Sequence, residues 1–248
     1  MVELTAVAPA SQRTRRVHVE ADMVVNRANR LMVELRNPVE DKLPEFARLN
    51  AERKLPMCVG KTLALCGAGP SLRDLAFEPY DELWACNSAL PYLVSQGVKV
   101  DVGICIDQTP GALKEWPDPP DVKYYLASTV DPALVDHLLA RGRDVYFFHN
   151  AVAFEDEWKH YCDDWAPGFM VGEGATVVSR TIGLANWMGF HNIDIYGADC
   201  AFGPDDVVHA NGDSPKEAYG NPVLMEGEID GRKWRTRPDM LQGAVDLV

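Results

Sequence analysis

From Lys61 onward, short apolar runs alternate with stretches long enough to hold a helix. No other feature of the chain constrains its fold as much. The runs are Thr62–Cys66, Glu82–Cys86, Val102–Ile106, Lys123–Ala127, Asp144–Phe148 and Asn192–Tyr196, rich in Val, Ile, Leu and Tyr. Between them, Ala89–Gln96, Pro132–Ala140 and Thr176–Met188 have the room and pattern for helices. Near-continuous apolar strands are buried on both faces, and helical crossovers between them make the strands parallel. The pattern therefore predicts an α/β, Rossmann-like domain over residues 60–202, with a mostly parallel sheet and helices on both faces.

The flanks read differently. Residues 1–59 are expected to form an N-terminal helical extension packed on the main domain. In it Val17, Met23 or Val24, Leu31 and Leu35 fall at helical spacing, Pro38 closes the first helix, and a short second helix follows Pro44. Residues 203–248 read as a loop, a hairpin and the start of a terminal helix that completes the domain. Gly203–Asn221 is rich in Gly, Pro, Asp and Asn. Asp230-Gly231 lies between strand-like flanks and signals a two-residue hairpin turn. Met240 to Val248 begin an apolar helical pattern and stop, as expected if the chain continues in its parent or if this end packs on the sheet. No internal repeat is visible.

Charge narrows the partners. The chain has 248 residues with 24 Lys plus Arg against 37 Asp plus Glu, a formal net charge of −13. Such a surface repels a phosphate backbone and an anionic membrane, so neither nucleic-acid binding nor membrane insertion is expected. No apolar run reaches bilayer length, and Met1 to Arg16 show no secretory signal. The six cysteines include no C-x-x-C pair, so zinc ribbons and thioredoxin-type motifs are not supported. Cys66, Cys86 and Cys105 lie in strand-like runs and read as reduced core thiols of a cytoplasmic protein. A homo-oligomer is compatible with these features.

In open parallel sheets, ligands bind beyond the carboxyl ends of the strands, where strand order reverses. The residues following the six runs are Gly67-Ala68-Gly69-Pro70-Ser71, Asn87-Ser88, Asp107-Gln108-Thr109, Ser128-Thr129, His149-Asn150 and Gly197-Ala198-Asp199. Every run ends in small or polar residues, which together sketch the rim of a crevice. Two glycines in Gly67–Ser71 allow a tight bend, Pro70 suits a first helical turn, and Ser71 can donate or accept at that helix start. Free N–H groups there favour a phosphate or carboxylate. The segment is neither a Walker A loop nor a full dinucleotide fingerprint, and a ligand-free strand-to-helix turn is the competing reading. Gly174 and Thr176 open the helix that follows and are a second candidate contact, with an ordinary N-cap equally open.

Asp107 and Asp199 are candidate metal ligands, since Mg²⁺ takes one or two carboxylates while phosphates and water supply the rest. Asp107 could instead cap the Thr109–Leu113 turn, whereas Asp199 has no evident local cap role. His209 follows Asp199 on the expected active edge and is a candidate general base, with an inert loop histidine as the alternative. His149 reads as a polar edge residue. The absence of H-E-x-x-H and G-x-S-x-G removes zinc-protease and α/β-hydrolase readings.

LALCGAGPSL, ACNSAL, DVGICIDQTP and GEGATVVSRTIGLANWMGFHNIDIYGADCAF with a later His resemble the MptE-like domain, named for the archaeal 6-hydroxymethylpterin diphosphokinase. The chain is also similar to the related Maf flagellin glycosyltransferases and, more distantly, to bacterial sialyltransferases with a G-x-G-P-S-L turn. In VKYYLAST, VYFFHN and the loop near His209 the chain resembles phage and prophage members of the group, which would place it in the host cytoplasm. The resemblance covers roughly residues 60–235 and leaves out the N-terminal extension.

It implies that Gly67, Gly69, Pro70 and Ser71 line the donor's phosphates. Asn87 would contact the nucleotide or sugar, with Gly174 and Thr176 beside the nucleotide; Ser128, at the end of the fourth run, is a further candidate nucleotide contact. Asp199 and His209 would form the catalytic edge, with Asp107 and Asp199 holding metal. The expected activity is a nucleotide-dependent transferase taking a nucleotide donor and a small-molecule or sugar acceptor. One form is a diphosphokinase using ATP with Mg²⁺ on a hydroxymethyl, pterin-like acceptor. The alternatives are a glycosyltransferase using a CMP-linked or other nucleotide sugar, with no obligatory metal, and a non-catalytic phage accessory protein that keeps the fold. Arg73 and Arg180 are the cations nearest the expected strand ends, so metal would have to neutralise much of a triphosphate's charge.

Overall fold

A computed structural model describes residues 56–247, apart from 75, 108–115, 128–129, 151–169, 172–173, 175, 204–205, 213–223 and 230–231. The expected N-terminal helices, Ser128 and the Asp230-Gly231 turn lie outside the described residues.

The strands are β1 (Thr62–Cys66), β2 (Glu82–Cys86), β3 (Val102–Cys105), β4 (Lys123–Ala127), β5 (Asp144–Asn150), β6 (Met170–Val171) and β7 (Asn192–Tyr196). They form one parallel sheet in the order β6-β5-β4-β3-β2-β1-β7. The helices are α1 (Ala89–Ser95), α2 (Pro132–Ala140), α3 (Val177–Trp187) and α4 (Pro238–Asp246), with a 3₁₀ turn at Pro70–Asp74. The α/β, Rossmann-like architecture expected from the alternation is present.

The chain lays down β1 to β6 in one direction, then returns through α3 to place β7 on the other side of β1. Strand order therefore reverses between β1 and β7. The two faces of the sheet carry different helices. Gly103 of β3 faces Leu90 of α1, where an added Cβ would lie 2.8 Å from Leu90 Cδ2. Cys86 of β2 faces α3, its Sγ 3.5 Å from Thr181 Oγ1. Gly103 pairs with Ala85 and not Cys86, and neighbouring strand residues point to opposite faces. So α1 and α3 cover opposite sides, as right-handed crossovers run in opposite directions require.

Burial explains the runs. Leu63, Leu65, Leu83, Trp84, Ile104, Tyr124, Leu126 and Phe147 are fully buried. Trp84 meets Tyr125 and Phe190 edge-to-face, at centroid separations of 5.4 and 5.2 Å. Cys66, Cys86 and Cys105 are buried and free. β7 departs from the two-sided expectation: it is the edge strand, and Asn192, Asp194 and Ile195 are exposed. β6 is a two-residue strand, too short to show periodicity, and the apolar runs gave no sign of it. Its pairing draws His149 and Asn150 into the β5 ladder opposite Met170 and Val171, so the expected strand-end pair is part of a strand.

The C-terminal hairpin forms as expected. β8 (Met225–Ile229) and β9 (Arg232–Thr236) pair antiparallel, with Ile229 opposite Arg232 across a two-residue connection. α4 then completes nine residues of helix where the sequence showed only a beginning. No helix among the described residues is long and apolar enough to cross a membrane.

Candidate functional site

The β1–β7 reversal brings the Gly67–Ser71 bend against Gly197–Asp199. Gly67 N–H donates to Tyr196 O (2.8 Å) and Gly69 N–H to Gly197 O (2.7 Å). The glycines are required by this close approach. A Cβ on Gly67 would lie 2.5 Å from Gly197 O and 2.9 Å from Val178 Cγ2 of α3. A Cβ on Gly69 would lie 2.7 Å from Gly197 O and would overlap Asp199 Oδ2. Gly197 itself has φ +61°, the left-handed region, and a side chain there would strike Gly67 O.

Asp199 occupies the start of the 3₁₀ turn. Its Oδ2 accepts from Ser71 N–H (3.2 Å) and Ser71 Oγ (2.9 Å). The cap role that could not be seen near Asp199 in the sequence is a tertiary one, across 128 positions of chain. Its other oxygen, Oδ1, has no hydrogen-bond partner among the described residues. The seat at the turn that chain chemistry offers to an anion is thus filled by the protein's own carboxylate.

His209 is carried to the same place. Ala210 N–H donates to Ala68 O (2.8 Å), Arg73 Nε–H to Ala210 O (2.6 Å) and Arg73 Nη2–H to His209 O (3.5 Å). The loop bearing His209 is therefore fastened to the glycine bend at Ala68 and to the 3₁₀ turn at Arg73. Arg73, one of the two cations nearest the expected strand ends, spends its guanidinium on these carbonyls.

Asn87, at the end of β2, has φ 44°, a conformation that Asn tolerates better than most residues. Its N–H donates to Ile104 O (2.8 Å) and its Oδ1 accepts from Ile106 N–H (3.2 Å), which ties β2 to β3. Asn87 Nδ2 has no hydrogen-bond partner among the described residues.

Thr176 caps α3 in a capping box. Its Oγ1 accepts from Ser179 N–H (3.1 Å), while its own N–H donates to Ser179 Oγ (3.1 Å). Arg180 Nε–H donates to Gly174 O (2.7 Å). The hydroxyl of Thr176 is committed to the cap. α3 nonetheless lies at the crevice, since Val178 packs against Gly67.

Asp107 stands apart. It follows β3, and β3 and β7 are separated by three strand spacings, about 14 Å. The sheet order thus gives Asp107 and Asp199 different strand ends. No group of three or more His, Cys, Asp or Glu among the described residues could hold a metal ion.

Sequence reasoning missed the part played by the C-terminus. Phe202 N–H donates to Arg235 O (2.8 Å), Thr236 Oγ–H to Cys200 O (2.6 Å), and Arg235 pairs with Asp206. Gly243 of α4 is buried directly against Thr176, leaving no room for a side chain. The hairpin and α4 thereby brace the bend after Asp199, where Cys200 and Asp206 have φ of 50° and 59°. Long-range contacts of this kind leave no periodic signal in a sequence.

No curated protein matches the sequence. The family model described as 6-hydroxymethylpterin diphosphokinase MptE-like matches residues 33–205. The match reaches into the N-terminal segment, which the resemblance noted above did not cover, and stops before the hairpin. With a parallel sheet reversing at β1/β7 and a match over most of its length, this chain belongs to the MptE-like family.

Proposed function

We propose that the chain is a nucleotide-dependent transferase that moves a diphosphoryl group from ATP to a hydroxymethyl, pterin-like acceptor. The observation that carries this reading is the pairing, at the strand-order reversal, of an oriented carboxylate with a fastened histidine loop. Asp199 turns one oxygen to Ser71 and keeps Oδ1 for a ligand. The family match supports a transferase of this general kind.

A single carboxylate oxygen suits Mg²⁺, which keeps several waters and takes the rest of its shell from phosphates. Asp199 would hold it, and the ion would supply charge neutralisation along the triphosphate. Asn87 Nδ2 is a donor for the nucleotide or the acceptor, with Gly174 and Thr176 along the wall beside them. In the reaction, the acceptor's hydroxyl oxygen bonds to the β-phosphorus. The bond from that phosphorus to the α,β-bridging oxygen breaks, and AMP leaves with the electron pair. His209 takes the hydroxyl proton. The protein's contribution is positioning and electrostatics.

Calorimetry with ATP and with CMP, each with and without Mg²⁺, tests the reading, together with AMP release in the presence of a hydroxymethyl pterin. Mg²⁺-dependent ATP binding and acceptor-dependent AMP release are expected. Tight CMP binding indifferent to Mg²⁺ would replace the reading with a glycosyltransferase that needs no metal. No binding of either nucleotide at millimolar concentration would leave a non-catalytic protein that retains the fold.

A further inference from the structure

The 3₁₀ turn at Pro70–Asp74 carries two polar side chains near the crevice, and both are already engaged. Ser71 directs its N–H and its hydroxyl to the same oxygen of Asp199, at 3.2 and 2.9 Å. Two donors on Oδ2 fix the carboxylate's rotation and leave Oδ1 as the oxygen offered to a ligand. Two residues on, Arg73 spans consecutive carbonyls, those of His209 and Ala210, with Nη2 and Nε. A guanidinium presents donors in a rigid fork suited to such a pair, which a lysine ammonium cannot reproduce. Ala68 O receives the N–H of Ala210 from the other side of the bend. The Cβ position of Gly212 lies 3.2 Å from Arg73 Nη2, so the loop follows the arginine beyond the histidine.

We propose that this turn is the element that sets Asp199 and His209 relative to each other, with Ser71 and Arg73 as positioning residues and not as the donor's phosphate grip. The inference rests on the transferase reading but goes beyond it, because it divides binding from turnover. A phosphate held by the Ser71 and Arg73 donors would have to displace four hydrogen bonds, both of Ser71 and both of Arg73, and with them release the loop they hold. A phosphate held elsewhere in the crevice leaves them intact. A displacement of about 1 Å in a reacting group costs on the order of 100-fold in rate, so loosening either side chain should lower turnover and spare affinity.

The test uses the full chain with Ser71→Ala, Ser71→Thr, Arg73→Gln and Arg73→Lys. ATP affinity with Mg²⁺ is measured by calorimetry, and turnover by AMP release with a hydroxymethyl pterin. Expected for Ser71→Ala and Arg73→Gln are Kd values within about threefold of the parent and kcat lowered on the order of 100-fold. Ser71→Thr, which keeps the hydroxyl, should restore most of the rate, and Arg73→Lys only part. Affinity weakened tenfold or more at unchanged kcat would make the turn a phosphate grip and overturn the proposal.

A second measurement does not depend on the reaction. The His209 ring Cε1–H resonance in a ¹H–¹³C spectrum should shift and broaden in Arg73→Gln but not in Arg141→Gln, which loses only the Asp118 pairing at the opposite end of the sheet. If the parent turns over no nucleotide, the transferase reading fails while this spectrum still decides the positioning claim. An unchanged His209 resonance in Arg73→Gln overturns it.

Discussion

Gly69→Ala should be the most informative substitution in the chain, because the new methyl group meets the two partners that define the crevice. Its Cβ would lie 2.7 Å from Gly197 O, a backbone atom that cannot rotate aside, and would overlap Asp199 Oδ2. The carboxylate must therefore leave Ser71. Two hydrogen bonds to a charged acceptor are lost, about 1.5 kcal/mol each at the low end of the range, since Ser71 is solvent-exposed. The reduced freedom of the unfolded chain returns about 0.5 kcal/mol. The net loss is about 2.5 kcal/mol, a large share of the ~5–15 kcal/mol expected for a domain. Urea unfolding should show the midpoint falling by about 1 M for a slope of ~2–3 kcal/mol/M. The cycle with Asp199→Ala gives the sharper reading. Once the carboxylate is gone, the two Ser71 bonds are already absent and only the Gly197 contact remains, so Gly69→Ala should cost about 3 kcal/mol less in that background. Strict additivity of the two substitutions would refute the claim that Gly69 is glycine because of Asp199.

Four further outcomes are expected. Tyr125 is buried and, among the described residues, its hydroxyl has no hydrogen-bond partner, so Tyr125→Phe should stabilise the fold by about 1 kcal/mol in thermal or urea unfolding. Burial pushes the Cys86 and Cys105 thiols up to about 12 from 9.0. Raised folded pKa values give stability that is complete below pH 9 and is lost as pH climbs toward 12, so each thiol should cost about 1.4 kcal/mol by pH 10, and Cys86→Ala should flatten that limb of an unfolding series. Thr236→Val removes the bond to Cys200 O and should cost about 1 kcal/mol; an unaltered urea midpoint would mean that the hairpin does not brace the Asp199 bend. His209→Ala should lower turnover on the order of 10²–10⁴-fold with the fold intact by circular dichroism, and retained turnover would remove His209 as the base.

Several elements were readable from local pattern because local physics makes them. α2 occupies the Pro132–Ala140 stretch expected to hold a helix, with Leu134, Val135 and Leu138 buried and Asp131 as its cap. β1, β2 and β4 coincide with their apolar runs, since strands inside a parallel sheet need apolar residues on both faces, and β7 matches the bounds of its run without that burial. The hairpin followed from Asp230-Gly231. β6 did not follow, because two residues carry no period. Nor did the edge position of β7, because Ile193 and Ile195 look the same whether or not a neighbouring strand covers them.

The candidate site divides along the same line. That glycines, a serine, an asparagine and two aspartates follow the strands is a property of the amino-acid order, and so is the acidic balance. Which of them meet was decided by the return of α3 to the far side of β1. That crossover set Asp199 on Ser71, left Asp107 three strands away and brought the His209 loop onto Ala68 and Arg73. Local sequence sets backbone preference and burial pattern over a few residues, whereas contacts between positions more than a hundred apart depend on strand order, which only the packed sheet specifies.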